Sequence, residues 1–262
     1  MIIAVLVVAC WLDFHYHFQR PGIWLLPICI VICALATTEL IELLSAKYAR
    51  SSSRWAHLGV IGIYLPPIVP MLVKGYQPGV TEFQLHWSVL GVALAFAIAF
   101  GREMVVYEQP GNVITRVALT LFAMIYVGLL GCFLAALRTF QGNEIGMLAL
   151  LSMVFVVKLA DVGAYTAGHL FGRHKLAPTL SPGKTIEGLI GGCATAVVVS
   201  MGSLGVLGPD GHSHMTWGRA ALLGRLLALA GQVGDLSMSL LKRSASVKDA
   251  SSVLPGMGGV LD

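Results

Sequence analysis

From Asp235 onward the chain gathers Asp235, Ser239, Lys242, Arg243, Lys248, Asp249 and Asp262, with Pro255, Gly256, Gly258 and Gly259 among them. These residue types do complementary work. Arg243 can grip a phosphate bidentately, and Lys242 and Lys248 act as compact point charges. Asp235, Asp249 and Asp262 are the natural ligands for Mg2+, which takes one or two carboxylates plus substrate phosphates. A polybasic patch that merely attracts anionic lipid gains about 1 kcal/mol per base, and interleaved carboxylates would weaken it. The pattern therefore asks for a polyanionic substrate and a divalent metal. If the helix carrying Asp235 continues, Ser239 and Lys242 follow at i+4 and i+7 on its face. The glycine pairs suit a turn that brings backbone close to a phosphate and aims Asp262 back at the metal.

A second charged stretch runs from Lys158 and Asp161 through Arg173, His174 and Lys175 to Ser181, Lys184, Thr185 and Glu187. Lys158 and Asp161 stand three apart, so on a helix they share a face and can pair. Ionisable groups within an apolar span mark a site by default, although a structural ion pair is the plainer reading. Ser181, Pro182, Gly183, Lys184 and Thr185 tempt a P-loop reading. That motif needs glycine five residues before Gly183, where Pro178 stands, and a preceding strand, so it is rejected.

The tail resembles the signature of the phosphatidate cytidylyltransferase (CDP-diacylglycerol synthase) family. Ser239, Lys242, Arg243, Lys248, Asp249, Gly258, Gly259 and Asp262 match at the family's spacing, while Met257 stands where the family usually has His. Asp161 through Gly188 matches a second family stretch almost without gaps. In the family the signature continues with Arg-x-Asp and a further span, so the resemblance predicts that the chain as written is truncated after Asp262. It implies transfer of CMP from CTP to phosphatidic acid, giving CDP-diacylglycerol and pyrophosphate. Asp235, Lys242, Arg243, Lys248 and Asp249 are the expected catalytic group. Asp161, Ser181, Lys184, Thr185, Glu187, Ser239, Gly258 and Gly259 are expected at the substrates, with Mg2+ and a second cation such as K+ as cofactors. The chemistry is in-line attack on the α-phosphorus of CTP, which calls for charge neutralisation and alignment of two anions. Methionine takes no proton, so Met257 argues for positioning rather than acid–base work.

The elements that must hold these residues are apolar helices. Of the 262 residues 56% are hydrophobic and only 11% charged, against about 25% charged in soluble domains. Spans of roughly 20 apolar residues are predicted near 23–44, 58–74, 86–107, 113–137, 145–170, 185–207 and 216–234, with a shorter leading one at 1–12. About eight spans in one chain predict an all-α polytopic bundle, since these runs are too long for barrel strands. Residues 1–140 read as N-terminal transmembrane helices and 141–262 as the catalytic transmembrane region. Lys47, Arg50 and Arg54, then Arg173, Lys175 and Lys184, then the tail fall on one side, which the positive-inside rule makes the cytoplasm. The suspected site then lies on the cytoplasmic side, and the family resemblance implies a bacterial-type inner membrane. The net charge of +4 is modest and clustered, which leaves nucleic acid little to bind.

Other features read more plainly. The five cysteines sit in apolar segments without ligand spacing, as small buried hydrophobes do. His15 and His17, like His212 and His214, lack carboxylate or thiol company and read as solvated loop residues. Gly188 and Gly192 suit close helix packing, within the bundle or in a homodimer. Glu39 and Glu42 read as one polar helix face, and Arg225 as lining a cavity or pairing. Three rival functions share parts of the pattern: a CTP-dependent polyprenol or lipid kinase, an anionic-lipid transporter, which would want internal repeats that are absent, and a non-catalytic membrane scaffold.

Overall fold

Apolar runs of this length can satisfy their backbone in lipid only as helices, and helices dominate the computed structural model of the chain. It describes residues 2–16, 21–48, 52–64, 81–108, 111–206, 215–247, 249–251 and 258–261. Two compact units result, one formed by Met1–Met147 with Ala245–Asp262 and one by Leu148–Ser244.

The first unit holds α1 (Ile2–His15), α2 (Leu25–Ser45), α3 (Ser53–Tyr64), α4 (Thr81–Val106), α5 (Val113–Arg138) and the start of α6 (Asn143–Phe171). Pro27 falls in the first turn of α2, where its missing N–H costs nothing. The core gathers Ile63 and Tyr64 of α3, Ala95 and Ala99 of α4, and Val117, Leu121, Met124 and Cys132 of α5. Small residues let these helices close. A Cβ at Gly91 would stand 2.6 Å from the Ile63 Cα, and one at Gly128 would stand 3.1 Å from the Ile63 Cβ.

A buried polar knot fastens one end of this unit. The Arg138 Nε donates to the Asp13 carboxylate at 2.7 Å, and Asp13 also accepts from the backbone N–H groups of Gly22 and Trp24, both at 2.9 Å. Arg138 reaches the Asn143 Oδ1 as well, and Asn143 donates to the Phe14 carbonyl. The end of α1, the start of α2, the end of α5 and the start of α6 thus meet. Asp13 and Gly22 on one connection lie beside Arg138 and Asn143 on the other.

The second unit contains the rest of α6, a two-stranded antiparallel hairpin of β1 (Lys175–Ala177) and β2 (Ser181–Thr185), α7 (Ile186–Ser200) with a π-helical continuation over Met201–Val206, and α8 (Trp217–Ser244). The hairpin is an addition to the all-α expectation and pairs Lys175 with Thr185 and Ala177 with Ser181. Val156, Ala160, Ala196 and Ala228 form the core. Gly188 and Gly192 do serve close packing within this unit: added Cβ atoms would stand 2.8 Å from the Ala164 carbonyl and 3.0 Å from that of Ala160. Gly224 of α8 lies equally tight against α7, 2.5 Å from the Ala196 carbonyl by the same measure.

Five helical stretches among the described residues are long and apolar enough to cross a membrane: Leu25–Ser45, Ser88–Val106, Val113–Arg138, Asn143–Phe171 and Ile186–Leu204. The leading span falls in the shorter α1, and much of 58–74 lies outside the described residues. α8 is 28 residues long but carries Arg219, Arg225, Asp235, Lys242 and Arg243, and is not among the five. The exterior is apolar on a scale that lipid, not water, accommodates, with Ile114 84% and Val105 82% exposed.

Candidate active site

In the second unit three elements bring charge to one place. The helix of Asp235 does continue, so Ser239 and Lys242 lie one and two turns further along α8 on the same face. β2 presents Lys184, whose Nζ donates to the Asp235 Oδ2 at 3.1 Å. α6 contributes the Lys158–Asp161 pair at 3.8 Å, and Asp161 lies close enough to Asp235 and Lys184 to feel both charges. Two carboxylates and two ammonium groups therefore share an open setting: the side chains of Asp161 and Asp235 are 46% and 59% exposed.

The hairpin and the turn into α7 are what aim Lys184. Thr185 is the N-cap of α7 and accepts from the Gly188 N–H at 3.1 Å, a bond of the kind that satisfies an otherwise orphaned helix donor. Its hydroxyl is buried in that task. Glu187 accepts from the His174 Nδ1 at 2.6 Å and from the His174 backbone N–H at 3.2 Å on both oxygens. It ties the strand entry to the first turn of α7. Ser181 begins β2 and is half-buried, and Arg243 is exposed near the end of α8. Thr185 and Glu187 thus support the framework that carries Lys184.

The first unit holds the rest of the expected group. Asp249 is exposed there, and Gly258 and Gly259 lie in a short segment anchored by Glu39, which the sequence marks only as part of a polar helix face. Glu39 and Glu42 stand three apart on α2 but differ in burial: Glu39 is 2% exposed, whereas Glu42 is exposed. The Glu39 Oε1 accepts from the Ser251 Oγ at 2.6 Å and the Val260 N–H at 2.7 Å, and its Oε2 accepts from the Leu261 N–H at 3.0 Å. The available signal was an acid within an apolar helix. Lys47 of the first basic cluster also donates to the Ser246 Oγ. Lys248, Met257 and Asp262, like His17, His212 and His214, lie outside the described residues. His15 ends α1, exposed, with its ring on the Trp11 carbonyl.

Of the expected metal trio, Asp235 belongs to the second unit and Asp249 to the first, and Asp262 lies outside the described residues. Within its own unit, Asp235 lies within electrostatic reach of Asp161.

Spanning-length helices with ionisable groups clustered on helix and hairpin define a multi-pass membrane protein. The model of the Cytidylyltransferase family matches residues 1–262, and the chain belongs to that family. It is 31% identical over 245 residues to the phosphatidate cytidylyltransferase of Staphylococcus aureus (strain COL), covering 93% of this chain and 85% of the relative. The Staphylococcus epidermidis (strain ATCC 35984) protein of that name is 37% identical over 243 residues, with the same coverage. The Mycobacterium bovis one is 33% identical over 218 residues, 76% of this chain and 67% of the relative.

Proposed function

We propose that the chain transfers CMP from CTP to phosphatidic acid, giving CDP-diacylglycerol and pyrophosphate. The observation that carries the reading is the contact of Lys184 with Asp235 beside Asp161 and Lys158, a mixed charge cluster in a membrane bundle. Such groups are costly within apolar helices and are kept where anionic substrates must be held. Family membership and the names of the relatives point to the same reaction.

An oxygen of the phosphatidate phosphate attacks the α-phosphorus of CTP, the bond from that phosphorus to the bridging oxygen breaks, and pyrophosphate leaves with the electron pair. The attacking phosphate is already ionised near neutral pH, so no general base is needed. The task left to the protein is alignment and charge compensation. Lys184 and Lys242 act as point charges for phosphate, and Arg243 offers a bidentate grip. Ser239 donates from the face of α8 that Asp235 shares. Lys248, Asp249 and Asp262 enter through the signature rather than through geometry.

The donor set fits Mg2+. Asp161 and Asp235 supply hard, exposed oxygens, and among the described residues no group of three or more His, Cys, Asp or Glu gathers. Two carboxylates completed by water and substrate phosphates is the usual arrangement for this ion. When bound it would neutralise charge on the phosphates, and K+ is the proposed second cation. The basic clusters support a reaction on the cytoplasmic side, and the bacterial relatives support a bacterial-type inner membrane.

The test is purified protein in detergent with CTP, phosphatidic acid and Mg2+. CDP-diacylglycerol and pyrophosphate should form one to one and should vanish on chelation. Phosphatidic acid left unconverted, with CTP intact, would overturn the proposal.

A further inference from the structure

We infer that Glu39 is a positioning residue for the nucleotide: it seats the segment Gly258–Leu261, so that this segment meets CTP in one fixed conformation. The inference rests on the activity proposed above. A buried acid is retained only if its oxygens are satisfied, and Glu39 takes its partners from far along the chain. Thr37 and Thr38 bond back to their own helix, at the carbonyls of Cys33 and Ala34. Glu39 instead accepts from Ser251, Val260 and Leu261, which follow it by 212, 221 and 222 residues. Both carboxylate oxygens are engaged, and two of the three donors are backbone amides, so it is conformation rather than side-chain identity that is being held.

The glycines match this seat. A Cβ on Gly259 would lie 2.6 Å from the Glu39 Oε2 and 2.9 Å from its Cδ, and Gly258 has a φ of +89°. The backbone that approaches an anion closely here does so at Glu39. Aspartate would fall one methylene short of these amides, and glutamine would set an N–H2 against backbone N–H groups. Glutamate suits the position on both counts.

The experiment compares the full chain with Glu39→Gln, Gly259→Ala and the Glu39→Ala, Gly259→Ala pair, by amide hydrogen exchange, thermal unfolding and steady-state kinetics in detergent. Glu39→Gln should speed exchange at the Val260 and Leu261 amides at least about tenfold. It should also raise the KM for CTP at least about fivefold while leaving that for phosphatidic acid within about twofold. Gly259→Ala should do likewise, and its added effect should largely disappear in the Glu39→Ala background, where the clashing carboxylate is gone. A role in stability alone would lower the unfolding temperature and the amount of active protein without moving KM, and that outcome overturns the inference. Unchanged exchange at 260 and 261 overturns it whatever the activity. If exchange quickens but the unaltered protein makes no CDP-diacylglycerol, the functional reading fails and the nucleotide role with it, leaving the seat as a structural device.

Discussion

At the residue scale, the contact between Lys184 and Asp235 separates function from stability. Both side chains keep solvent access, at 23% and 59%, and exposed ion pairs contribute only about 0–1 kcal/mol. Asp235→Asn keeps the shape of the side chain and loses its charge. It should leave thermal unfolding nearly unchanged while lowering kcat/KM at least about a hundredfold, a loss of roughly 2.7 kcal/mol in transition-state stabilisation. Near-normal turnover would remove Asp235 from the machinery. Arg138 and Asp13 predict the opposite pattern. Their pair is buried, at 3% and 0% side-chain exposure, and removing one partner strands the other charge. Asp13→Ala should cost about 3–5 kcal/mol of stability, read from unfolding in detergent, with the surviving folded fraction keeping its KM for CTP.

At the element scale, the site depends on how closely α7 and α8 approach, because β2 and Lys184 lead directly into α7 and Asp235 rides on α8. Gly224→Val would drive side-chain atoms into the Ala196 carbonyl, 2.5 Å from the added Cβ. It should destabilise by about 1–3 kcal/mol and reduce turnover. Gly218→Ala, in the same helix with nothing within 4 Å of its added Cβ, should be neutral or slightly stabilising. Equal effects of the two would mean that helix spacing does not hold the site. The elements were legible to different degrees. Long apolar runs announced α2, α5 and α6, whereas the continuation of α8 past the apolar part, on which the shared face of Asp235, Ser239 and Lys242 depends, was only a condition in the sequence. The i, i+3 step announced Lys158 with Asp161. The hairpin was hidden because two short strands containing Pro182 and Gly183 have no periodicity to detect. Lys184 with Asp235, 51 residues apart, and Arg138 with Asp13, 125 apart, are tertiary contacts that no local pattern encodes. Glu39 could be seen as a costly intramembrane acid, but its partners could not.

At the scale of the whole molecule, the arrangement within the first unit bears on orientation. The end of α2 and the tail come together through Lys47 with Ser246 and Glu39 with residues 251, 260 and 261, while loops 13–22 and 138–144 share the Asp13–Arg138 knot. With native cysteines replaced, Ser52→Cys and Thr179→Cys should resist a membrane-impermeant thiol reagent in intact cells, and Glu144→Cys should react. The reverse pattern would put the basic clusters outside and away from CTP. Transfer of CMP and phosphorylation by CTP differ in which phosphate of CTP reaches the lipid, and a paired-label measurement separates them. Purified protein is given phosphatidic acid and CTP labelled at either the α- or the γ-phosphate, and label is counted in the organic extract. CMP transfer puts α-label in the lipid and γ-label only in pyrophosphate. Label passing from the γ-phosphate into lipid would make the chain a CTP-dependent kinase and contradict it.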